Sequence, residues 1–162
     1  MIKPYDREKA VSYALKWAYG RNPAYYDFSN LGGDCTNFVS QCLYAGSGVM
    51  NFTPDTGWYY INAIDRAPAW TGVEFLYTFL TNNKTKAVFA EETDISNIST
   101  GDVIQLGTPK RFYHTLIISE IDSTPSYSTI KVCAHTFNAK NRILNSYSFD
   151  RIRFLHINGV YI

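Results

Sequence analysis

A cysteine stands where a helix is expected to begin, directly after two glycines and an aspartate. Residues 31–43 read Leu-Gly-Gly-Asp-Cys-Thr-Asn-Phe-Val-Ser-Gln-Cys-Leu. Gly32 and Gly33 allow a sharp turn, Asp34 is a favoured N-cap residue, and apolar residues then recur at helical spacing. In a first helical turn, free backbone N–H groups and the helix dipole favour a thiolate over a thiol. The pattern therefore predicts that Cys35 is a nucleophile, the alternative being a small buried hydrophobic side chain.

A cysteine nucleophile needs a base and a third group that orients this base. His114 opens a predicted strand at 114–121, and His135 closes the next predicted strand at 130–135. If the two strands form an antiparallel hairpin, the start of one lies beside the end of the other. We therefore expect His114 to be the base and His135 its polar neighbour. His156, late in a strand at 152–157, is expected to be structural.

Two tyrosines precede the glycine turn in a loop that leads to the cysteine. A phenol near the thiol could donate a hydrogen bond to a tetrahedral intermediate, and Tyr25 and Tyr26 are the candidates. An anchoring aromatic role is the alternative for either one.

The order of the predicted elements indicates an α+β domain. We predict a helix capped by Asp6 that runs to about residue 19, the cysteine helix, a short helix ending before Pro68, and a helix opened by a capping box at 71–74. Short β-type runs follow from about residue 87, at 103–106, 114–121, 130–135 and 152–157. Helices in front of an antiparallel sheet make an α+β fold, and 162 residues with 46% hydrophobic composition suit one domain, 1–162.

Composition excludes several classes of partner. The formal net charge is +1, which gives no basic field for nucleic acid. No apolar run reaches the length of a membrane span, and the first residues lack the apolar core of a signal peptide. The three cysteines, Cys35, Cys42 and Cys133, are odd in number and lack zinc spacing. We expect no disulfide framework, no metal and no cofactor.

Several motifs together resemble the putative amidase domain family of bacterial cysteine hydrolases. The most specific is Asp-Cys-Thr-Asn-Phe-Val-Ser-Gln at 34–41. The others are Asn-Pro-Ala-Tyr-Tyr at 22–26, Ala-Trp-Thr-Gly-Val at 69–73, Gly-Asp-Val-Ile-Gln-Leu at 101–106, Tyr-His-Thr-Leu-Ile-Ile at 113–118, Ala-His-Thr at 134–136 and Phe-Leu-His-Ile at 154–157. The resemblance covers nearly the whole chain. More distantly, the order of Cys, His and polar residue is similar to NlpC-type cell-wall peptidases and CHAP amidases.

The resemblance implies a papain-like fold and assigns roles to particular residues. Cys35 would be the nucleophile, His114 the general base and acid, and His135 the third residue, with Asn138 as a competitor for that place. The oxyanion site would combine the Cys35 backbone N–H with Tyr25 or Tyr26. Unlike NlpC-type enzymes, the chain continues Asp-Cys with Thr36, and its insert at about 50–83 is long. We expect the aromatic residues of that insert, Trp58, Tyr59, Tyr60 and Trp70, to build a groove wall.

These observations favour a monomeric cysteine-dependent hydrolase that cleaves an amide bond of peptidoglycan or a peptide through an acyl-enzyme. The bond would lie in the stem peptide or join that peptide to the glycan. A catalytically idle wall-binding module is the alternative from another class. A further alternative is an acyltransferase that forms the same acyl-enzyme but excludes water and passes the acyl group to an amine. As a domain of a secreted protein, the chain would be extracellular or associated with the cell wall.

Overall fold

The computed structural model describes all residues 1–162 and consists of four α-helices and a seven-stranded antiparallel sheet. This confirms the predicted α+β class. The helices are α1 (Arg7–Trp17), α2 (Cys35–Ser47), α3 (Pro68–Thr71) and α4 (Val73–Asn82). The strands are β1 (Ile2–Lys3), β2 (Ala87–Thr93), β3 (Val103–Gly107), β4 (Phe112–Glu120), β5 (Lys131–Ala134), β6 (Ala139–Ile143) and β7 (Arg151–Tyr161). None of the helices combines the length and apolar character needed to cross a membrane.

The sheet places β3 and β4 in the middle of the molecule. The strand order is β1-β7-β3-β4-β5-β6, and β2 also pairs with β7. Both faces of β3 and β4 are buried, so their sequences are apolar runs with little alternation. A polar residue inside these strands is therefore a buried residue, whichever face it occupies.

Two hydrophobic cores lie on opposite faces of the sheet. On one face, α1, α2 and α4 pack over Val103, Ile117 and Leu155. On the other face, Leu106 and Leu116 belong to a smaller core closed by the segments around β5 and β6. Because successive side chains of a strand point to opposite faces, Thr115 and Ile117 of β4 face the helices, whereas residues 114 and 116 face the smaller core.

The helix boundaries agree with the sequence patterns only in part. Asp6 caps α1 as predicted, since its carboxylate accepts a hydrogen bond from the Lys9 N–H. The short helix predicted before Pro68 is wrong: the chain turns there, and α3 begins at Pro68 with the proline at its first position. The predicted capping box of α4 is also wrong, because no side chain caps this helix. Its Glu74 carboxylate instead binds Arg153, 3.3 Å away.

The sequence patterns missed two strands, β1 and β6, which end the main strand order of the sheet. Strand β6 reads Ala-Lys-Asn-Arg-Ile and exposes most of its side chains. Edge strands are commonly short or polar, because such features discourage pairing with other chains. The loop at 123–126 connects β4 to β5 as predicted, and these two strands pair in antiparallel fashion.

Candidate active site

Cys35 is the first residue of α2 and lies where β4 and β5 separate. The last residue pair that joins these strands near the site is Ile117 with Cys133. Thr115, two residues earlier on β4, therefore has no partner on β5, and its backbone N–H acts to lower the pKa of the Cys35 thiol. The sulfur is mostly buried, with the residue 8% exposed.

The environment of Cys35 opposes the predicted thiolate. Burial raises the pKa of the Cys35 thiol above its ordinary value, and the nearby Asp34 carboxylate adds to the rise. Hydrogen bonds from the Thr115 N–H and from the hydroxyl and N–H of Thr36 act in the opposite direction. The helix start is as predicted, but desolvation outweighs the favourable donors there. The backbone N–H groups at the helix start favour the thiolate, as expected, but burial has the larger effect on the thiol pKa.

Asp34 precedes α2 but does not cap it with its side chain. Its Oδ1 accepts hydrogen bonds from the Phe28 N–H at 2.8 Å and from Asn37 Nδ2 at 2.9 Å. Its Oδ2 lies 2.5 Å from His135 Nδ1. Its backbone N–H donates to Thr136 Oγ1 at 2.9 Å. Asp34 thus joins the start of α2 to the loop before it and to the turn after β5, which corrects the prediction of a simple cap.

His135 is held on both of its ring nitrogens. Nδ1 faces Asp34 Oδ2, and Nε2 lies 2.8 Å from the carbonyl oxygen of Trp17. Arg21 Nη1 is farther away, at 3.2 Å. The ring is 2% exposed and stacks on Phe38 of α2 with ring centroids 4.0 Å apart. Because both nitrogens face oxygen acceptors, neither is free to take a proton from the thiol.

His114 lies on the opposite face of the sheet from the Thr115 side chain. Its cross-strand partner is Leu106 of the smaller core, and its ring centroid is 6.0 Å from that of Tyr147. Its ring nitrogens make no hydrogen bond in the structure. Burial, with a smaller contribution from the Arg142 guanidinium, lowers the pKa of His114 to about 4. The imidazole is therefore neutral at pH 7 and able to accept a proton.

The prediction that His114 and His135 are neighbours is wrong, because the observed strand register differs by one residue from the register that would bring them together. The hairpin forms, but the pairing of Ile117 with Cys133, continued along the strands, sets His135 opposite Thr115. A shift of one residue moves a side chain to the other face of a sheet. No hydrogen bond joins the two imidazoles, and none joins His114 to the Cys35 sulfur.

The remaining predicted site residues have other partners. The Tyr25 ring stacks on Trp70 with centroids 6.0 Å apart, and burial raises the pKa of Tyr25 to about 12. Tyr26 is exposed, and its carbonyl accepts a hydrogen bond from Asn37. Neither phenol contacts Cys35. The Asn138 side chain accepts a hydrogen bond from Arg21 at 3.0 Å and contacts neither histidine.

The two tryptophans of the aromatic insert form core and not a groove wall, whereas Tyr59 and Tyr60 are partly exposed. Trp58 and Trp70 are fully buried, with ring centroids 4.8 Å apart. A pocket of about 750 Å³ lies between α4 and residues 51–56, and neither Cys35 nor the histidines line it. No group of three or more His, Cys, Asp or Glu side chains lies together in a way that would hold a metal ion.

The structure adds a row of buried polar side chains that the sequence patterns missed. Arg153, Gln105 and Thr115 are cross-strand partners on β7, β3 and β4, on the face covered by the helices. Thr115 Oγ1 lies 2.8 Å from Thr36 Oγ1, which lies 3.8 Å from Cys35 Sγ. The available signal was a glutamine inside the buried run Val-Ile-Gln-Leu-Gly of β3, since a buried polar residue needs a partner.

The chain belongs to a family of amidase-like domains. The family model described as "Putative amidase domain" matches residues 4–157. The chain is also similar to the "Uncharacterized protein YhbB" of Bacillus subtilis (strain 168), with 36% identity over 118 residues that cover 70% of this chain. The match spans 37% of that relative's length. No solved structure matches.

Proposed function

We propose that this chain is a cysteine-dependent amidase with Cys35 as its nucleophile and His114 as its general base and acid. The family supports amidase activity in general. The observation that carries the cysteine mechanism is the position of Cys35 at the first turn of α2, where the backbone N–H groups of Thr36 and Thr115 act to lower the pKa of its thiol. The candidate base, His114, directly precedes Thr115 on β4, and its side chain lies on the other face of the sheet.

The proposed reaction proceeds through an acyl-enzyme. The sulfur of Cys35 attacks the amide carbonyl carbon while the thiol proton passes to the His114 imidazole. The C–N bond then breaks, and the amine leaves with the proton that His114 returns. Water attacks the thioester, releases a carboxylic acid and restores the thiol. In the unliganded structure the His114 ring lies on the other face of β4 from Thr115 and makes no hydrogen bond to Cys35, so the step requires the strand end that carries His114 to rearrange when substrate binds.

In this proposal His135 is a positioning residue and not a member of the proton path. Its two ring nitrogens are occupied by Asp34 and Trp17. Asp34 precedes the nucleophile, so the pair fixes the start of α2 against the turn after β5. The distant similarity to NlpC-type and CHAP enzymes makes an amide bond of peptidoglycan the substrate that we propose.

A catalytically idle wall-binding module is the second candidate. The raised pKa of the Cys35 thiol and the missing hydrogen bond between Cys35 and His114 favour it. Such a module would bind wall material equally well as the wild type and as Cys35→Ala, without turnover by either.

The test is product analysis after incubating purified peptidoglycan and its soluble muropeptides with the wild type, Cys35→Ala and His114→Ala. New amino groups without new reducing sugar ends would show amide cleavage. We expect cleavage by the wild type alone. Turnover by Cys35→Ala equal to that of the wild type would exclude the cysteine mechanism, and binding without turnover by any of the three proteins would favour the second candidate.

A further inference from the structure

A chain of hydrogen bonds leads from Arg153 of β7 to the sulfur of Cys35. Arg153 donates to Gln105 Oε1 through Nε at 2.9 Å and through Nη2 at 2.6 Å. Gln105 Nε2 lies 3.3 Å from Thr115 Oγ1, and Thr115 Oγ1 lies 2.8 Å from Thr36 Oγ1. Thr36 Oγ1 then lies 3.8 Å from the sulfur of Cys35. All four side chains that lead to the sulfur are buried.

The direction of this chain is set at its Arg153 end. The Gln105 carbonyl oxygen must face Arg153, which can only donate, and Gln105 Nε2 also donates to the backbone oxygen of Val73 at 3.0 Å. The amide therefore donates to Thr115. Either hydroxyl can donate between Thr115 and Thr36, and in the arrangement where Thr115 donates to Thr36 the Thr36 hydroxyl donates to the sulfur of Cys35. In that arrangement each donor points toward the nucleophile.

We propose that Arg153, Gln105, Thr115 and Thr36 form an oriented donor chain that stabilises negative charge on Cys35 Sγ and fixes its position. Only the Thr36 side chain contacts the sulfur, and Arg153, Gln105 and Thr115 are positioning residues because their side chains act through it. A chain of aligned hydrogen bonds strengthens its terminal member, most of all in a buried site. The inference rests on the proposed role of Cys35 as nucleophile. It gives the buried thiol a source of stabilisation that the helix end alone does not supply.

The titratable and charged groups around the site also affect the pKa of the Cys35 thiol, in addition to the chain of hydrogen bonds. Asp34 precedes Cys35 and raises its pKa. The Asp34 carboxylate binds His135 and lies 3.6 Å from Arg21 Nε. His114 precedes Thr115 on β4, lies on the other face of the sheet and is neutral at pH 7. At the far end of the chain, Arg153 also contacts Glu74. The variants described below change only Thr36 or Gln105 and leave these other groups in place.

The first test is the pH dependence of iodoacetamide alkylation at Cys35, located by mass spectrometry. Thr36→Val removes the terminal hydroxyl at nearly constant shape, and Thr36→Ser retains it as the matched control. We expect the midpoint of Cys35 alkylation to rise by roughly one pH unit or more in Thr36→Val, the size of a hydrogen bond to a charged group. Thr36→Ser should stay close to the wild type. Cys42 and Cys133 are fully buried and report unfolding if they react.

The second test reverses the direction of the hydrogen bonds by a substitution at Gln105, which does not contact the sulfur. In Gln105→Glu the carboxylate still accepts from Arg153 but accepts from Thr115 as well, so both hydroxyls turn away from the sulfur. We expect a rise in the Cys35 midpoint, and little additional rise when Gln105→Glu is combined with Thr36→Val. An unchanged midpoint in a folded Thr36→Val protein would overturn the proposal. So would a full Gln105→Glu shift in the Thr36→Val background, which would show an effect through space.

If Thr36→Val unfolds, Thr36→Ala provides the same comparison with Thr36→Ser. The readout is the alkylation of one thiol and needs no substrate. If the wild type shows no amidase turnover but the variants show these shifts of the alkylation midpoint, the proposed function is contradicted and the donor chain is supported.

Discussion

Cys35 and His114 are both uncharged at neutral pH in the unliganded protein. Burial raises the pKa of the Cys35 thiol and lowers the pKa of His114 to about 4. The two shifts have one physical cause, because a site of low polarity disfavours the charged form of each group. The proposed proton transfer therefore accompanies the attack on the carbonyl and does not precede it as a stored ion pair.

The lowered pKa of His114 predicts a specific loss of stability in acid. An ordinary histidine has a pKa of 6.5, so between pH 6.5 and about 4 the unfolded chain binds a proton that the folded protein does not. The stability present above pH 6.5 is lost as the pH falls through this range, by at most about 3 kcal/mol. Denaturant unfolding of the wild type and His114→Gln at pH 7 and pH 4.5 measures it.

We expect the wild type to lose more unfolding free energy than His114→Gln between these two pH values. The variant serves as the matched control, because every other titrating group is common to both proteins. An identical pH dependence in the two proteins would show that His114 is not held in its neutral form.

The helix α2 is fixed at its start by contacts with the turn that follows β5. His135 binds the Asp34 carboxylate, and Thr136 accepts a hydrogen bond from the Asp34 N–H. Because Cys35 follows Asp34 directly, these contacts determine where the candidate nucleophile lies relative to the sheet. The turn therefore belongs to the architecture of the site although it lies 100 residues away in the chain.

Removing His135 should destabilise the protein more than it affects any single chemical step. His135→Ala removes the imidazole from the buried Asp34 carboxylate and leaves it with the more distant Arg21, and loss of one member of a buried pair typically costs about 3–5 kcal/mol. Asn138→Ala, on the same turn but exposed, should cost less than about 0.5 kcal/mol. Thermal unfolding compares the two variants. A stable His135→Ala protein without turnover would instead make His135 a catalytic residue.

The same turn holds two ordinary side chains in a left-handed backbone conformation. Thr136 has φ 56° and Phe137 has φ 63°, and the Phe137 side chain is 86% exposed. A non-glycine residue in this region is strained, and an exposed side chain offers little packing in return. Phe137→Gly should therefore raise the free energy of unfolding by about 1 kcal/mol.

Denaturant unfolding measures this gain, and Phe137→Ala is the control because it retains a Cβ atom. We expect no comparable gain from the alanine. If both variants destabilise the protein, then Phe137 contributes packing that its exposure does not indicate. Thr136 is left unchanged in this test, because its hydroxyl binds the Asp34 N–H.

At the scale of the whole molecule, the sequence predicted the α+β class, the start of α2 at Cys35 and the pairing of β4 with β5. These depend on local signals: a glycine turn, helical spacing and short apolar runs. The face occupied by His114 could not be predicted, because β4 is buried on both faces over most of its length and one residue of register decides the side. The donor chain to Cys35 joins three strands and a helix, so no local pattern contains it.

A second buried polar cluster connects residues near the two ends of the polypeptide with the start of β3 in the middle of the sheet. The Asp102 carboxylate is fully buried and accepts hydrogen bonds from Arg7 Nη1 at 2.6 Å and His156 Nδ1 at 2.7 Å. It also accepts from the backbone N–H groups of Ser99 and Ile157. The predicted structural role of His156 agrees with these contacts. The cluster joins α1, β3 and β7 and lies apart from the Cys35 site.

Asp102→Asn should reduce global stability without changing the chemistry at Cys35. The substitution removes the charge that Arg7 pairs with and one acceptor, and we expect a loss of about 3 kcal/mol. Asp122→Asn, at an exposed loop, is the matched control and should change stability by less than about 0.5 kcal/mol. Denaturant midpoints test the stability, and the rate of Cys35 alkylation tests the site. A folded Asp102→Asn protein with an altered alkylation rate would show coupling between the two clusters.

The most direct test of the central claim is to look for the acyl-enzyme itself. Wild-type protein would be mixed with muropeptides, quenched in acid within seconds, digested and analysed by mass spectrometry. We predict an acyl adduct on the peptide that contains Cys35, absent from Cys35→Ala and absent from Cys42 and Cys133. Amide cleavage that proceeds without any adduct on Cys35, and equally in Cys35→Ala, would contradict the assignment of Cys35 as the nucleophile.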